Sequence, residues 1–365
     1  MSAYPALATL QTAVRSAPQA WHQAWPSRSL AGFACTYAPL ELLHAAGLSP
    51  LRLPANRRSA RADSWLPPFV CPIVRGMLAT ALEGELHPLA AIVLPHTCDS
   101  LQELGGIWQS LRPQAPLLIP VGPLASPNPR AATYLQQTLR ALARRIDRPV
   151  SDAALAASLA LYNRLRRARR EIDALRDRLT AAEAWAALAA AWQMPPEDYV
   201  ESAEVLVHQL KAAALRGTSG PRLLLAGSVL DEPLIPALID ALGGSVVGDD
   251  LCNGMRDAEP QAMEEGDPWA ALAQRLLARP ACPCQQGPTT ERVVRLRALA
   301  RQRGAQGVIL ALAKFCDPHA FDAVPLGQTM EQAGIHFLVL EVEAVNAPEQ
   351  LRTRLQAFLE LLTAG

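Results

Sequence analysis

The stretch from Gly307 to Asp322, GVILALAKFCDPHAFD, constrains the fold of this chain most strongly. It opens with a continuous apolar run rich in branched side chains, which is typical of a strand buried on both faces of a parallel sheet. Cys316 follows at the point where this strand is predicted to end. In open α/β sheets, ligands bind at the carboxyl ends of the strands. A thiol at this position therefore indicates a binding site in preference to a core position.

A second predicted strand carries the same signal. The run AAIVLP, Ala90 to Pro95, is followed at once by His96, Thr97, Cys98 and Asp99. Strand-like and helical segments alternate around both runs, which predicts parallel sheets with right-handed crossovers. Two thiols at the ends of two such strands indicate one shared ligand.

The alternation of elements divides the chain into three parts. Residues 1–150 are predicted to form an N-terminal α/β domain, and residues 219–365 a C-terminal α/β domain. Residues 151–218 between them are rich in Ala, Leu and Arg and contain no strand-like run, which predicts a helical subdomain. We also expect one long helix from Tyr4 to about Trp25, a polar loop from Asn56 to Asp63, and a helix that begins only near Asp322.

The predicted helical subdomain carries a dense run of charges. The run consists of seven arginines and three acids: Arg164, Arg166, Arg167, Arg169, Arg170, Arg176, Arg178, Glu171, Asp173 and Asp177. Runs of this kind are usually solvated faces crossed by i,i+4 ion pairs. We expect such a face here, in preference to a docking surface.

Charge and hydropathy narrow the range of partners. Lys+Arg and Asp+Glu are both 34, which gives a formal net charge of +0. No global field therefore draws the chain toward nucleic acid or an anionic membrane. The sequence has no apolar run of membrane-spanning length, and its N-terminus lacks the basic region and apolar core of a signal peptide. We expect a cytoplasmic protein without a nucleic-acid or membrane partner.

Cysteines are the candidate ligands. All seven fall at the predicted ends of strands or helices: Cys35, Cys71, Cys98, Cys252, Cys282, Cys284 and Cys316. Disulfides are not expected in a reducing cytosol. Any one of these residues alone would be read as a small buried hydrophobe, but the repeated position beyond strands and helices favours a common role. Cys71 precedes a predicted helix, so we expect its thiolate to be favoured by the helix N-terminus.

The spacing of the cysteines discriminates between metals. No C-x-x-C pair occurs, so a structural zinc site is not indicated. Dispersed cysteines that the fold brings together can hold an iron–sulfur cluster. In the C-P-C pair, Cys282 and Cys284 are too close to assume that both bind one metal, so we expect one ligand and one neighbour. The sequence has no P-loop, no dinucleotide-binding G-x-G-x-x-G and no nucleophile elbow.

Two histidines adjoin the cysteines. His96 and His319 are candidates to hydrogen-bond a cluster sulfur or to donate protons, the alternative being a supporting contact around the site. The remaining histidines are assigned to packing or surface positions: His22, His44, His87, His208 and His336.

Several segments, taken in order, resemble the benzoyl-CoA reductase and 2-hydroxyacyl-CoA dehydratase family. They are FACTYAPLELLHAAGLSPLRL, LPHTCDS, YNRLRRARR, DDLCNGMR, KFCDPHAFD and EQLRTRLQAFLELL, so the likeness runs from about Phe33 to Leu362. The resemblance implies two Rossmann-like α/β domains around an oxygen-sensitive iron–sulfur cluster. It also implies that a separate, ATP-hydrolysing activator with its own cluster supplies low-potential electrons.

The resemblance further implies the ligands. Three thiols hold a 4Fe-4S cluster in the dehydratase subunits, and the matching positions here are Cys71, Cys98 and Cys316. Additional cysteines match the fuller set of double-cubane cluster proteins and of some benzoyl-CoA reductase subunits: Cys35, Cys252 and the pair Cys282/Cys284. With Cys284 taken from that pair, six ligands would hold an 8Fe-9S double cubane, which we favour over a single 4Fe-4S cluster. Lys314 is expected to offset the negative charge of the cluster, unless it is a solvated loop residue.

Two classes of function follow from this resemblance. One is an enzyme subunit that reduces or dehydrates an acyl-CoA thioester through one-electron chemistry. The other is an electron-transfer protein, or a reductase of small molecules, without a CoA substrate. A homodimer, or a heterodimer with a related subunit, is expected in either case, and a metal-free structural homologue is the third alternative.

Overall fold

The structure is a computed structural model that describes residues 4–16, 18–86, 89–111, 115–122, 128–146, 148–217, 220–285, 287–343 and 348–364. His87 lies outside these ranges. Within them, two parallel sheets of four strands each are surrounded by helices, which confirms the predicted α/β class and the two Rossmann-like units. None of the described helices is long and apolar enough to cross a membrane.

The first sheet consists of short, buried strands. They are β1 (Leu30–Phe33), β2 (Ser49–Arg52), β3 (Ala91–Val93) and β4 (Leu117–Leu118), in the order β2-β1-β3-β4. Only two residues of the apolar run PLLIPV, Pro116 to Val121, form β4. Pro116 and Pro120 have no amide hydrogen, so they accept from Ile92 and His96 through their carbonyls but cannot extend the ladder further.

The second sheet has longer strands. They are β5 (Arg222–Gly227), β6 (Ser245–Leu251), β7 (Gly307–Ala313) and β8 (His336–Val342), in the order β6-β5-β7-β8. Every residue of β7 is buried, as its continuous apolar run predicted. β7 pairs with both β5 and β8 and is therefore a central strand.

The first sheet is accompanied by seven helices among the described residues. They are α1 (Pro5–Arg15), α2 (Pro18–Ala24), α3 (Leu40–Ala45), α4 (Ala60–Asp63), α5 (Pro72–Leu82), α6 (Asp99–Ser110) and α7 (Ala131–Arg145). The single helix expected from Tyr4 to Trp25 is wrong, because the backbone is extended at Ser16. The loop expected from Asn56 to Asp63 contains α4, whose first turn is capped by the Ser59 side chain.

The middle of the chain is helical, as expected. It contains α8 (Asp152–Ala174), α9 (Ala181–Ala189) and α10 (Pro196–Ala212), with short 3-10 turns at Arg176–Arg178 and Ala190–Trp192. Leu155 and Leu159 of α8 share one hydrophobic core with Phe33 and Val93 of the first sheet. The domain boundaries at 150 and 218 remain predictions.

The solvated face expected for the arginine run is wrong for part of it. Arg166, Arg169 and Arg176 are 1%, 0% and 7% exposed. These arginines are three and seven residues apart, so they lie on one side of α8 and of the turn that follows it. The apolar residues of the core lie on the same side. Arg164, by contrast, is exposed as expected, although its partner Glu204 lies on α10 and not four residues away on the same helix.

The last part of the chain contains α11 (Leu234–Ala241), α12 (Pro268–Leu277), α13 (Thr289–Gln302), α14 (Asp317–Gln332) and α15 (Pro348–Ala364). Of these, α12 packs on α7 and α8 and belongs to the core of the first sheet. A 3-10 turn at Met255–Asp257 follows β6. The prediction that α14 begins near Asp322 is wrong, because the helix starts immediately after Cys316 with Pro318 in its first turn. Proline is compatible with that turn, where an amide hydrogen has no helical partner.

Candidate metal centre

All seven cysteines lie in the segments between helices and strands. Cys71, Cys98 and Cys316 immediately precede α5, α6 and α14. The others follow β1, β6 and α12: Cys35, Cys252, Cys282 and Cys284. None forms a disulfide. Parallel strands end at the same edge of a sheet, so both halves of the chain present thiols from equivalent edges.

The thiols of the two halves interact with one another. Cys284 interacts with Cys98, Cys282 and Cys316, and Cys282 also interacts with Cys252. The two remaining thiols lie close enough to the others for electrostatic repulsion. Cys71 is repelled by Cys316 and Cys98, and Cys35 is repelled by Cys282 and Cys98. We call these seven side chains the thiol pocket.

Burial opposes ionisation in this pocket. It raises the pKa of Cys35 to about 11 and that of Cys71 to about 12. The expectation that its helix makes Cys71 a thiolate is therefore wrong, because burial outweighs the nearby amides of Ile73 and Val74. Hydrogen bonding from Cys284 lowers the pKa of Cys316 to about 5, against the opposing effect of burial. Like charges repel at this proximity, so the thiols cannot all ionise unless cations join them.

Two cationic side chains contact or approach the sulfur atoms. Arg256 Nη1 lies 3.3 Å from Cys252 Sγ, and the same guanidinium is fixed by Asp250. Arg279 lies 4.1 Å from the centre of the Tyr37 ring, and its charge partly offsets the rise that burial causes in the pKa of Cys35. Neither arginine was identified from the sequence, although each lies within four residues of a cysteine.

His319 lies between two sulfur atoms of the thiol pocket. Its Nδ1 lies 3.3 Å from Cys316 Sγ, and its Nε2 lies 3.9 Å from Cys252 Sγ. The ring is almost fully buried. Of the two roles considered for His319, the contacts support hydrogen bonding to sulfur ligands.

Lys314 does not take the role expected for it. Its ammonium group is exposed and pairs with Glu343. The alternative of a solvated residue describes it better, and Arg256 supplies the positive charge at the sulfur atoms.

The turn that carries Arg256 is held rigidly. Asp249 Oδ1 accepts hydrogen bonds from the amides of Met255, at 2.8 Å, and Leu251, at 3.3 Å. A Cβ at Gly254 would lie 1.8 Å from the same oxygen, so only glycine fits there. The backbone between Cys252 and Arg256 is thereby fixed close to the carboxylate.

A network of buried ion pairs adjoins the thiol pocket. The carboxylate oxygens of Asp257 lie 2.7 Å from a guanidinium nitrogen of Arg275, 3.2 Å from one of Arg279 and 3.9 Å from one of Arg169. Arg166 pairs with Glu41 in the same region, where both side chains are 1% exposed. Arg279 belongs to this network and also donates to the carbonyl and hydroxyl oxygens of Thr36, next to Cys35.

A cavity of about 170 Å³ lies beside the thiol pocket. Part of its lining comes from residues within two positions of a cysteine in the sequence: Tyr37, His96, Thr97, Ala281 and Gln285. Leucines of α7 and α12 form much of the remainder: Leu135, Leu139, Leu276 and Leu277. The cavity thus combines apolar walls with a few polar groups, as small-molecule sites do.

The donor set of the thiol pocket fits an iron–sulfur group. All seven candidate ligands are thiols, which are soft ligands suited to iron–sulfur clusters, zinc or copper(I). Within the described ranges, no three or more His, Cys, Asp or Glu side chains are arranged to hold a single metal ion. Thiols distributed around a pocket suit a polynuclear cluster, in which separate irons take separate thiolates.

The fold and the site define an α/β enzyme whose two halves enclose a pocket of free cysteines. The chain belongs to the family described as "2-hydroxyglutaryl-CoA dehydratase, D-component", whose family model matches residues 35–362. This confirms the resemblance found in the sequence motifs. The chain is accordingly an enzyme component of the acyl-CoA dehydratase and reductase type.

Characterised relatives are similar over most of their length. The lactoyl-CoA dehydratase subunit beta of Anaerotignum propionicum is 26% identical over 350 residues, which cover 93% of this chain and 94% of the relative. The (R)-phenyllactyl-CoA dehydratase beta subunit of Clostridium sporogenes is 24% identical, with 89% and 90% covered. A benzoyl-CoA reductase subunit of Thauera aromatica is 23% identical, with 83% and 82% covered.

Proposed function

We propose that this chain is the iron–sulfur component of an acyl-CoA dehydratase or reductase that receives single low-potential electrons from an ATP-dependent activator. The supporting observation is the thiol pocket, in which free cysteines from both halves of the chain interact in a buried space. Burial and positive charge are among the means by which proteins tune the potential of such a group.

The contacts divide the ligands into two sets. We assign Cys71, Cys98 and Cys316 to the first set, because Cys71 interacts with both of the others. We assign Cys35, Cys252 and Cys282 to the second, because Cys282 contacts Cys252 and lies close to Cys35. Cys284 interacts with members of both sets. Cys282 is therefore a better candidate for the sixth ligand than Cys284, the residue expected from the sequence.

Such a group, when bound, would supply reversible one-electron chemistry at low potential. The residues of the chain would orient it and control its charge. His319 holds one sulfur of each set in place, and Arg256 lies against Cys252. Since Arg256 and Arg279 are buried and positively charged, they stabilise thiolates and added electrons in a site that excludes bulk water.

The relatives described as beta subunits belong to dehydratases with more than one kind of subunit. We infer that this chain also works with a second, related subunit, and that the assembly acts in the cytoplasm. An electron carrier without a CoA substrate is the competing function, and a single 4Fe-4S cluster is the competing site.

Metal analysis after anaerobic purification tests the site. Two sets predict about eight irons per chain, and a single cluster predicts about four. Cys252→Ser should lower the iron content by about half and leave Cys71, Cys98 and Cys316 loaded. Unchanged iron in Cys252→Ser, with about four irons in the unmodified chain, would support the single cluster instead. Absence of iron and sulfide after anaerobic reconstitution would refute the proposal.

Turnover tests the reaction. The chain, a candidate partner subunit, the activator and ATP should together convert a 2-hydroxyacyl-CoA or an aromatic acyl-CoA, and omission of ATP should abolish the conversion. If the iron is present and reducible but no acyl-CoA is converted, the electron-carrier function is correct.

A further inference from the structure

Four buried arginines beside the thiol pocket share two carboxylates. We call these six side chains the arginine network: Arg166, Arg169, Arg275, Arg279, Glu41 and Asp257. Among the described residues, the Nε atoms of all four arginines have no hydrogen-bond partner. Repulsion from Arg166 adds to burial in lowering the pKa of Arg275, as expected where positive charge is in excess. Four cations paired with two anions leave the network with an excess of two positive charges.

This positive excess adjoins the second set of thiols. Arg279 donates a 2.8 Å hydrogen bond to the hydroxyl oxygen of Thr36, the residue that follows Cys35. Arg169 donates a 2.6 Å hydrogen bond to the backbone carbonyl oxygen two residues after Cys252. The network is thus attached to the two backbone segments that carry these thiols.

Arg256 brings a further positive charge into direct contact with the second set. Its Nη1 lies 3.3 Å from Cys252 Sγ, and its charge also acts on Cys282. The Asp250 carboxylate binds the opposite edge of the guanidinium, at 3.2 Å from Nη2 and 3.4 Å from Nε. The positive end of this ion pair therefore faces the sulfur atom.

The surroundings of the first set are different. Apart from other thiols, the groups that lower the pKa of its members are backbone amides at Cys71 and Cys98, and His319 at Cys316. The His319 ring is shared with Cys252 of the second set, so it does not distinguish the two. A helix N-terminus carries about half an elementary charge, and its effect falls off within one turn, whereas each guanidinium carries a full charge. The stronger positive charge therefore lies at the second set.

We infer that the thiol pocket is electrically polarised, so that a group bound across both sets holds its first added electron at the second set, beside Arg256 and the arginine network. A buried positive charge is poorly screened and stabilises an electron added next to it. In this step an external reductant gives up one electron, one iron passes from ferric to ferrous, and no bond forms or breaks. The inference rests on the proposed function, because both sets must be loaded. It goes further by making these arginines positioning residues that fix where the electron resides.

Redox titration of the full, anaerobically purified chain, followed by electron paramagnetic resonance, tests the inference. Arg256→Gln should lower the equilibrium constant for the first reduction by at least about tenfold, which is about 59 mV for one electron. Arg256→Lys keeps the charge and should restore most of the loss. Asp257→Asn removes an anion from the arginine network, so it should move the potential in the opposite direction. Lys314→Gln is the matched control, because Lys314 is two residues from Cys316 but exposed, and its replacement should leave the potential unchanged.

Variants that empty one set compare the two sets directly. Cys252→Ser should leave only the first set loaded, and Cys71→Ser only the second. The set that remains in Cys71→Ser should be reduced with an equilibrium constant at least about tenfold larger than the set that remains in Cys252→Ser. Serine is a favourable residue before a helix, so Cys71→Ser is expected to fold. This comparison leaves Arg256 in place and therefore stands even if Arg256→Gln does not fold.

Iron content is measured on the same samples. Equal potentials for two loaded sets, or a shift in Lys314→Gln as large as that in Arg256→Gln, would overturn the polarised pocket and leave the iron–sulfur function standing. A higher potential at the first set would also overturn it, because the helix N-termini would then outweigh the arginines. About four irons per chain, unchanged in Cys252→Ser, would refute the two-set site and this inference with it.

Discussion

Asp257 is the acid on which the buried arginines behind the thiol pocket converge, so its replacement by asparagine gives a sharp test of that network. Arg275, Arg279 and Arg169 all lie within 3.9 Å of its carboxylate. Asparagine keeps the size of the side chain and removes only the charge. Asp257→Asn would therefore leave the buried guanidinium groups without one of their two principal counterions, the other being Glu41.

The magnitude follows from the pKa of Asp257. Burial alone would raise this pKa, but Arg275 and Arg279 outweigh burial and lower it from 3.8 to about 2. That shift corresponds to roughly 2.5 kcal/mol of stability. Removing one partner from a buried ion pair costs about 3–5 kcal/mol. We expect Asp257→Asn to lower the free energy of unfolding by about 3 kcal/mol.

Urea denaturation followed by circular dichroism measures this change. Because folding lowers the pKa of Asp257, its contribution is fully present above about pH 4 and is lost as the pH falls toward 2. The difference between Asp257→Asn and the unmodified chain should therefore be constant from pH 7 to 5 and shrink below pH 4. Glu204→Gln, which removes an exposed ion pair with Arg164, should cost less than about 1 kcal/mol. A loss below 1 kcal/mol in Asp257→Asn would refute the reasoning.

Three further predictions concern stability and titration. Gly76→Ala should destabilise the fold by about 1–3 kcal/mol in urea, because the new Cβ would lie 1.9 Å from a backbone oxygen and push α5 away. Phe315 has a φ of 62°, which is strained for an aromatic residue, so Phe315→Asn should raise the free energy of unfolding by up to about 1 kcal/mol. The Glu197 carboxylate, hydrogen-bonded by His44, should titrate near pH 2 in ¹³C NMR, and His44→Ala should move this pKa upward.

Each of these predictions has its own control. Gly106→Ala in α6 meets no atom within 4 Å and should be neutral or stabilising, whereas a similar loss in both glycine variants would remove the steric explanation. A loss above 1 kcal/mol in Phe315→Asn would mean that packing of the ring outweighs the backbone strain. An unchanged Glu197 titration in His44→Ala would contradict the role of the hydrogen bond.

The strands and most helices could be predicted because buried parallel strands appear in the sequence as continuous apolar runs that alternate with helical segments. The strand β7 coincides with the apolar run that predicted it. The errors concern prolines, which occur in loops but also in the first turn of a helix and beside a short strand. Pro318 looked like part of a loop although it occupies the first turn of α14, and the prolines around β4 prevented a strand that the apolar residues had indicated.

The arginine run illustrates a different limit. A charge on a helix predicts solvent exposure unless its partners are known, and the partners of Arg166 and Arg169 are Glu41 and Asp257, far away in the sequence. One signal was available, because both arginines occur at the same helical spacing as the buried leucines. That spacing alone could not distinguish a buried ion network from the edge of a solvated face.

The thiol pocket was accessible from sequence only in outline. The position of each cysteine at the end of an element could be read, but the proximity of Cys284 to Cys98 depends on how the two halves meet. Arg256 was missed for a similar reason, since no local pattern distinguishes it from a surface arginine. Its proximity to sulfur follows from a tight turn that is closed by Asp249 and Gly254.

The order in which the cysteines occur along the chain also constrains how the protein is made. Cys316 is the last of them, and only α14, β8 and α15 follow it. A growing polypeptide on the ribosome cannot complete the pocket until nearly all of its length has been synthesised. The pocket can therefore receive a bound group only when translation is nearly finished.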